Sequence, residues 1–170
     1  MPVRHTLRLA ALLLALPAAA AARHPPDPFI DHGACPFECC TYRDWTTNKP
    51  VTLVDRPNSK AAIAVLPAKT TVHGVTGDVY SRPIRMVARR AFPDSPIRKG
   101  DVFYALHSSG EGFWAVWYRG KVYAVDMTGA DDRRKLSRAS PSWWAKVLTS
   151  DGRVGWVKVT NQFDNQDACG

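Results

Sequence analysis

The sequence predicts an all-β protein, and three observations carry that expectation. Thirteen prolines and eleven glycines punctuate the chain, leaving short runs rich in Val and aromatic residues between them. Such spacing favours strands and turns, because Pro removes a backbone donor and Gly weakens regular elements. Beyond residue 22 no apolar set recurs with the 3.6-residue period of an amphipathic helix. Third, Trp143-Trp144-Ala145-Lys146-Val147 and Val154-Gly155-Trp156-Val157 flank Asp151-Gly152. That is the pattern of a β-hairpin whose two central residues both take positive φ.

The chain of 170 residues opens with an address. Arg4, His5 and Arg8 make a positive start, Leu9 to Leu16 an apolar core, and Pro17 with Ala18 to Ala22 a zone of small residues. This is the pattern of a cleaved signal peptide over residues 1–22, so the mature protein is expected to be secreted or periplasmic. The apolar run is too short to span a bilayer and no second one follows, so no membrane span is expected. Without Arg4 and Arg8 the chain keeps 21 basic against 15 acidic residues, a net +6. In an exported protein such a surface suits wall polymers and other polyanions. The longest like-charge block is Arg133-Arg134-Lys135, which is not a nucleic-acid arm.

In chain order, residues 23–50 read as a Pro-rich leader followed by a Cys-containing extension. Val51-Thr52-Leu53-Val54 alternates as a strand does, Arg56-Pro57-Asn58-Ser59 is a turn, and Ala62 to Leu66 is a second strand. Val79 to Val87 reads as one further strand, which Pro83 restricts to an edge or a bulge. Arg89 to Lys99 reads as a surface connection. Ile97-Arg98-Lys99-Gly100-Asp101-Val102 leads into another strand, and Phe113 to Tyr118 with Lys121 to Val125 makes a second hairpin around Arg119-Gly120. Asp126 to Ser140 is a charged loop, and residues 161–170 are a polar tail.

The two hairpins, the strand and proline-containing arm over residues 51–66, and Pro67 to Val72 after it together resemble the bacterial SH3-like domain family of small β-barrels. Ala68-Lys69 departs from the family pattern, which has a Gly there. The resemblance covers about two thirds of the chain and implies small SH3-like β-barrels arranged as two intertwined units. One would combine residues 51–90 with 141–160, and the other, 97–127, would be inserted within it. A single elaborated barrel with a long insertion is the plainer alternative. The resemblance also implies binding without catalysis, to peptidoglycan or to another envelope protein.

Phe113, Ala115 and Trp117 should point to one face of their strand, and Trp114, Val116 and Tyr118 to the other. Both faces are apolar, so both must be covered. One explanation is packing, with one face filling a barrel and the other meeting the second unit. The functional explanation is a groove for a peptide or glycan, with Trp114, Tyr118, Tyr123, Trp144 and Trp156 as its platform. Arg119, Lys121 and Arg153 would lend charge at its rim. Aromatic rings present a flat apolar surface with a polar edge, which suits both ligand classes.

Cys35, Cys39, Cys40 and Cys169 form an even set in an exported chain, which reads as two disulfides. Adjacent Cys39 and Cys40 would strain a shared ring, so Cys35 should pair locally with one of them while Cys169 ties the tail back. The alternative is a metal or redox site, since His32 lies close by and thiolates suit zinc or cuprous ion. The spacing fits neither a zinc ribbon nor a thioredoxin-like centre. No phosphate loop, nucleophile elbow or H-E-x-x-H motif is present. The only glutamates are Glu38 and Glu111, and His73 and His107 read as surface or packing residues. The expectation is a non-catalytic binding protein of the envelope without a cofactor, or else an accessory subunit of an envelope enzyme. The oligomeric state stays open.

Overall fold

A computed structural model describes residues 24–128 and 133–169. The expected signal peptide lies outside the described residues. Among the described residues there are twelve strands: β1 Phe29–His32, β2 Asp44–Thr47, β3 Val51–Val54, β4 Ala62–Leu66, β5 Thr71–Ser81, β6 Ile84–Val87, β7 Val102–Gly110, β8 Phe113–Tyr118, β9 Lys121–Asp126, β10 Ser142–Thr149, β11 Val154–Lys158 and β12 Phe163–Asp164. One short helix, α1 Arg133–Leu136, runs into a 3-10 turn at Ser137–Ala139. The protein is therefore nearly all β.

The strands form two sheets. The larger curls into half a barrel in the order β12-β2-β5-β10-β11-β3-β4, with β1 added beside β5. The smaller is the meander β6-β7-β8-β9. Pro83 marks the passage between them. Val79 to Val87 is not one strand, because β5 ends at Ser81 in the first sheet and β6 begins at Ile84 in the second. Proline fixes φ and supplies no ladder donor, so the ladder breaks there.

Trp45 is the centre of the first core and has no exposed surface. Its ring lies 5.4 Å from that of Phe163, 5.7 Å from Tyr42 and 5.9 Å from Trp143, within the range of favourable aromatic pairs. Gly74 of β5 makes the room, since a Cβ there would stand 2.8 Å from the Trp45 indole. Leu53, Val72, Val79, Ala145, Val147 and Val157 fill the rest. The segments read from sequence as an extension and a tail thus contribute β1, β2 and β12 to the first sheet.

The second core gathers Val116 and Tyr118 of β8 with Met86, Phe103, Val125 and Leu136. The connection Arg89 to Lys99 is more than a surface link, because Phe92 and Ile97 are buried in this core. At its end the Asp101 carboxylate accepts the Arg98 amide at 2.8 Å and the Tyr118 hydroxyl at 2.8 Å. Those donors, the amide first, hold the Asp101 carboxyl below its usual range. The other face of β8 joins Ala115 and Trp117 to Leu106, with Phe29 and Tyr104 against them. Both faces of this strand are covered from Ala115 to Tyr118, whereas Phe113 at its start is exposed.

The hairpin turns differ from expectation. Between β10 and β11 only Gly152 takes positive φ, at 84°, while Asp151 does not. The Gly152 amide donates to the Thr149 carbonyl at 3.0 Å and the Thr149 amide to the Arg153 carbonyl at 2.9 Å. This is a three-residue loop closed by a left-handed glycine. The two-residue turn with both central φ positive is found instead at Arg119 (48°) and Gly120 (87°), where Tyr118 pairs with Lys121. At Lys69, φ is 65°, so this lysine holds the left-handed conformation where a glycine was anticipated.

Candidate functional site

Strand alternation divides the proposed ligand residues between two sheets. On β8 and β9 the pairs Trp114↔Val125, Val116↔Tyr123 and Tyr118↔Lys121 set Trp114, Tyr118, Tyr123 and Lys121 on one face, because directly opposed residues share a face. On β10 and β11 the pairs Trp144↔Lys158 and Lys146↔Trp156 set Trp144 and Trp156 together on the side away from the first core. Arg119 belongs to the β8–β9 turn and Arg153 to the β10–β11 loop.

Tyr118 and Trp144 are buried, only 4% and 8% exposed. Tyr118 is committed to Asp101, and the Arg119 guanidinium lies 4.9 Å from its ring centre. The Trp144 indole N–H is buried without a hydrogen-bond partner. Neither ring offers a face to a ligand. Trp156 is half-buried on an open sheet surface, with the Lys146 ammonium 5.9 Å from its ring centre. Arg153 is held by Asp151, its Nε donating at 2.9 Å. The hydrogen bond from Arg153, with a second from Thr149, holds the Asp151 carboxyl at about 2.

Trp114 lines a concavity. A cleft of about 570 Å³ lies between it and Gly112, Met127, Thr128, Leu136, Ser137 and Pro141. Trp114 and Tyr123 are half-buried against the second core, so each is anchored on one side. Sequence reasoning missed Met127, Leu136 and Pro141. Leu136 and Pro141 flank the short helical turn, which was read as a charged loop, and Met127 is next to Asp126 at the end of β9. An apolar residue within each charged stretch was the available signal.

The cysteines close two disulfides, Cys35–Cys40 and Cys39–Cys169, with Cα separations of 5.5 and 5.6 Å. Among the described residues no cysteine is free. All four sulfurs are paired in these disulfides, so none is a free thiolate in this state. His32 faces Asp78 at 3.0 Å. His73 pairs with Asp44 at the surface, whereas His107 is only 3% exposed.

The two glutamates meet across the molecule. Glu38, in the disulfide-bonded segment, shares a side-chain hydrogen bond with Glu111 of the β7–β8 turn, and this contact above all raises the Glu38 carboxyl from its usual value. Burial pushes the Tyr42 phenol up to about 12, against a lowering hydrogen bond from Trp143.

No family model, curated protein or solved structure matches this chain.

Proposed function

We propose that this chain is a non-catalytic binding protein of the cell envelope, exported by way of its first 22 residues and built on SH3-like barrel elements. Its ligand is peptidoglycan or a protein partner, taken up in the cleft beside Trp114. The observation that carries the reading is that cleft, an apolar trough with one indole wall and the Thr128 and Ser137 hydroxyls among its lining. A trough of this size with few polar groups suits a short peptide or a sugar unit. The net +6 of the mature chain draws it toward an anionic wall. Two disulfides belong in an oxidising compartment, and no helix of the described residues is long and apolar enough to cross a membrane.

Co-sedimentation with purified sacculi at low and high salt tests the proposal. The wild-type protein should pellet at both, with less at high salt, and Trp114→Ala should leave most of it in the supernatant at both. Wild-type protein that stays in solution at low salt would refute a wall ligand.

A further inference from the structure

The N-terminal leader is not a free extension. His24 sets its ring edge-on to Tyr104, with centroids 5.6 Å apart, and its Nδ1 hydrogen-bonds the Tyr104 hydroxyl. Tyr104 in turn lies edge-on to Trp117 at 5.9 Å. Phe29 packs on the patch of Leu106, Ala115 and Trp117. Two residues later, the Asp31 carboxylate meets His107 Nε2 at 2.8 Å. The other ring nitrogen of His107 faces the Ser108 carbonyl at 3.0 Å. Alternation directs Phe29 and Asp31 toward the second sheet, while the backbone of β1 zips onto β5 from Phe29↔Ser81 to His32↔Asp78.

We propose that Tyr104, Leu106, His107 and Trp117 form a binding surface for an extended peptide, which the leader occupies in cis as an intramolecular ligand. The surface has a shelf for an aromatic side chain, the His107 Nε2 for a carboxylate two residues further on, and the β5 edge from Asp78 to Ser81, which β1 occupies, for the backbone. That combination recognises a strand by β-addition with two side-chain anchors. The partner is therefore a segment of another protein chain carrying an aromatic residue two positions before an Asp or Glu. It lies on the sheet face opposite the Trp114 cleft and does not depend on that cleft's ligand. The leader is suited to exchange. Among the described residues β1 pairs only with β5 and lies off the main strand path, and Pro26, Asp27, Pro28 and His32 are exposed.

A labelled synthetic peptide copying residues 24–32 tests this against the full chain and its Phe29→Ala/Asp31→Asn variant. The variant loosens the cis leader and leaves the surface intact. It should bind the peptide at least about tenfold more tightly than wild type, since a competitor in cis lowers apparent affinity by the fraction of surface it leaves free. Adding Tyr104→Ala should remove the gain. Hydrogen exchange of β8 and β10 amides is read in parallel. A variant with those amides protected as in wild type, yet binding no better, would overturn the proposal. Loss of that protection would overturn it too, because the leader would then be a part of the fold and not a ligand.

Discussion

The two sheets solve the same problem from opposite ends of chain topology. In the second, every strand is hydrogen-bonded to its neighbour in sequence, from β6 to β9. The β7–β8 and β8–β9 steps close two-residue turns and the β6–β7 step spans residues 88–101, so the loop-closure entropy stays modest. In the first, β3–β4 and β10–β11 are local hairpins, but β2 sits between β12 and β5, and β10 beside β5, so distant segments must be brought together before the sheet is completed. Both disulfides lie on that side. Cys39–Cys169 joins residues 130 apart, next to the Cys40↔Asp167 bridge and the Ala168 amide that donates to the Cys39 carbonyl at 2.9 Å. Covalent help is found where the chain closes its longest loop, and the local meander has none.

Removing the staples should separate the sheets most sharply. Cys39→Ala with Cys169→Ala frees a loop of 130 residues, a loss of about 5 kcal/mol in the chain-entropy model. Cys35→Ala with Cys40→Ala frees a separation of 5, for about 2 kcal/mol on the same basis. Amide exchange should place the larger loss in β2, β5 and β10, with β8 and β9 keeping their protection. Equal loss in both sheets would erase the distinction.

Tryptophans divide in the same way. Trp143→Ala removes a 9% exposed ring from the first core and should cost about 3–5 kcal/mol in denaturant unfolding. Trp156→Ala, on the open face, should cost about 1 kcal/mol. Comparable losses would mean that the outer face is packed as tightly as the core. The turns offer a smaller contrast. Arg119 holds φ at 48°, which Asn tolerates better. Arg119→Asn should therefore raise the unfolding midpoint by the equivalent of about 0.5 kcal/mol, whereas Asp151→Asn has no such gain to make.

The smallest effects are in the carboxylates, where Asp151 and Glu38 carry opposite signs. Asp151 has a folded value of about 2, depressed first by Arg153. Its contribution is present above the unfolded carboxylate value and is lost as pH falls toward 2. Glu38 is raised, first by its hydrogen bond with Glu111. Its contribution is complete below the unfolded value and disappears as pH rises through the folded one. Carboxyl NMR titration should show Arg153→Ala lifting Asp151, and Glu111→Ala lowering Glu38.

What the sequence made readable was what is local. The hairpins β8–β9 and β10–β11 combine alternation with turn residues, and both stand where Trp114 to Tyr123 and Trp143 to Trp156 placed them. Even there the turn types exchanged. Asp151 uses its carboxylate to hold Thr149 and Arg153 and so does not need positive φ. Trp45 and Phe163 were out of reach because β2 and β12 are four and two residues long, too short to display a period. Their partners are strands from the far half of the chain. The Trp114 cleft was half legible. Its indole stands in an obvious aromatic run, but Leu136 and Pro141 reach it only through a turn of helix that four residues cannot announce.

The central claim, that Trp114 faces a ligand while the other tryptophans serve structure, is tested most directly by the indole N–H resonances of the six tryptophans. Titration with soluble peptidoglycan fragments, followed by nitrogen-proton NMR, should shift and broaden the Trp114 signal first and leave that of Trp156 in place. Movement of the Trp156 signal with Trp114 unchanged would contradict the account.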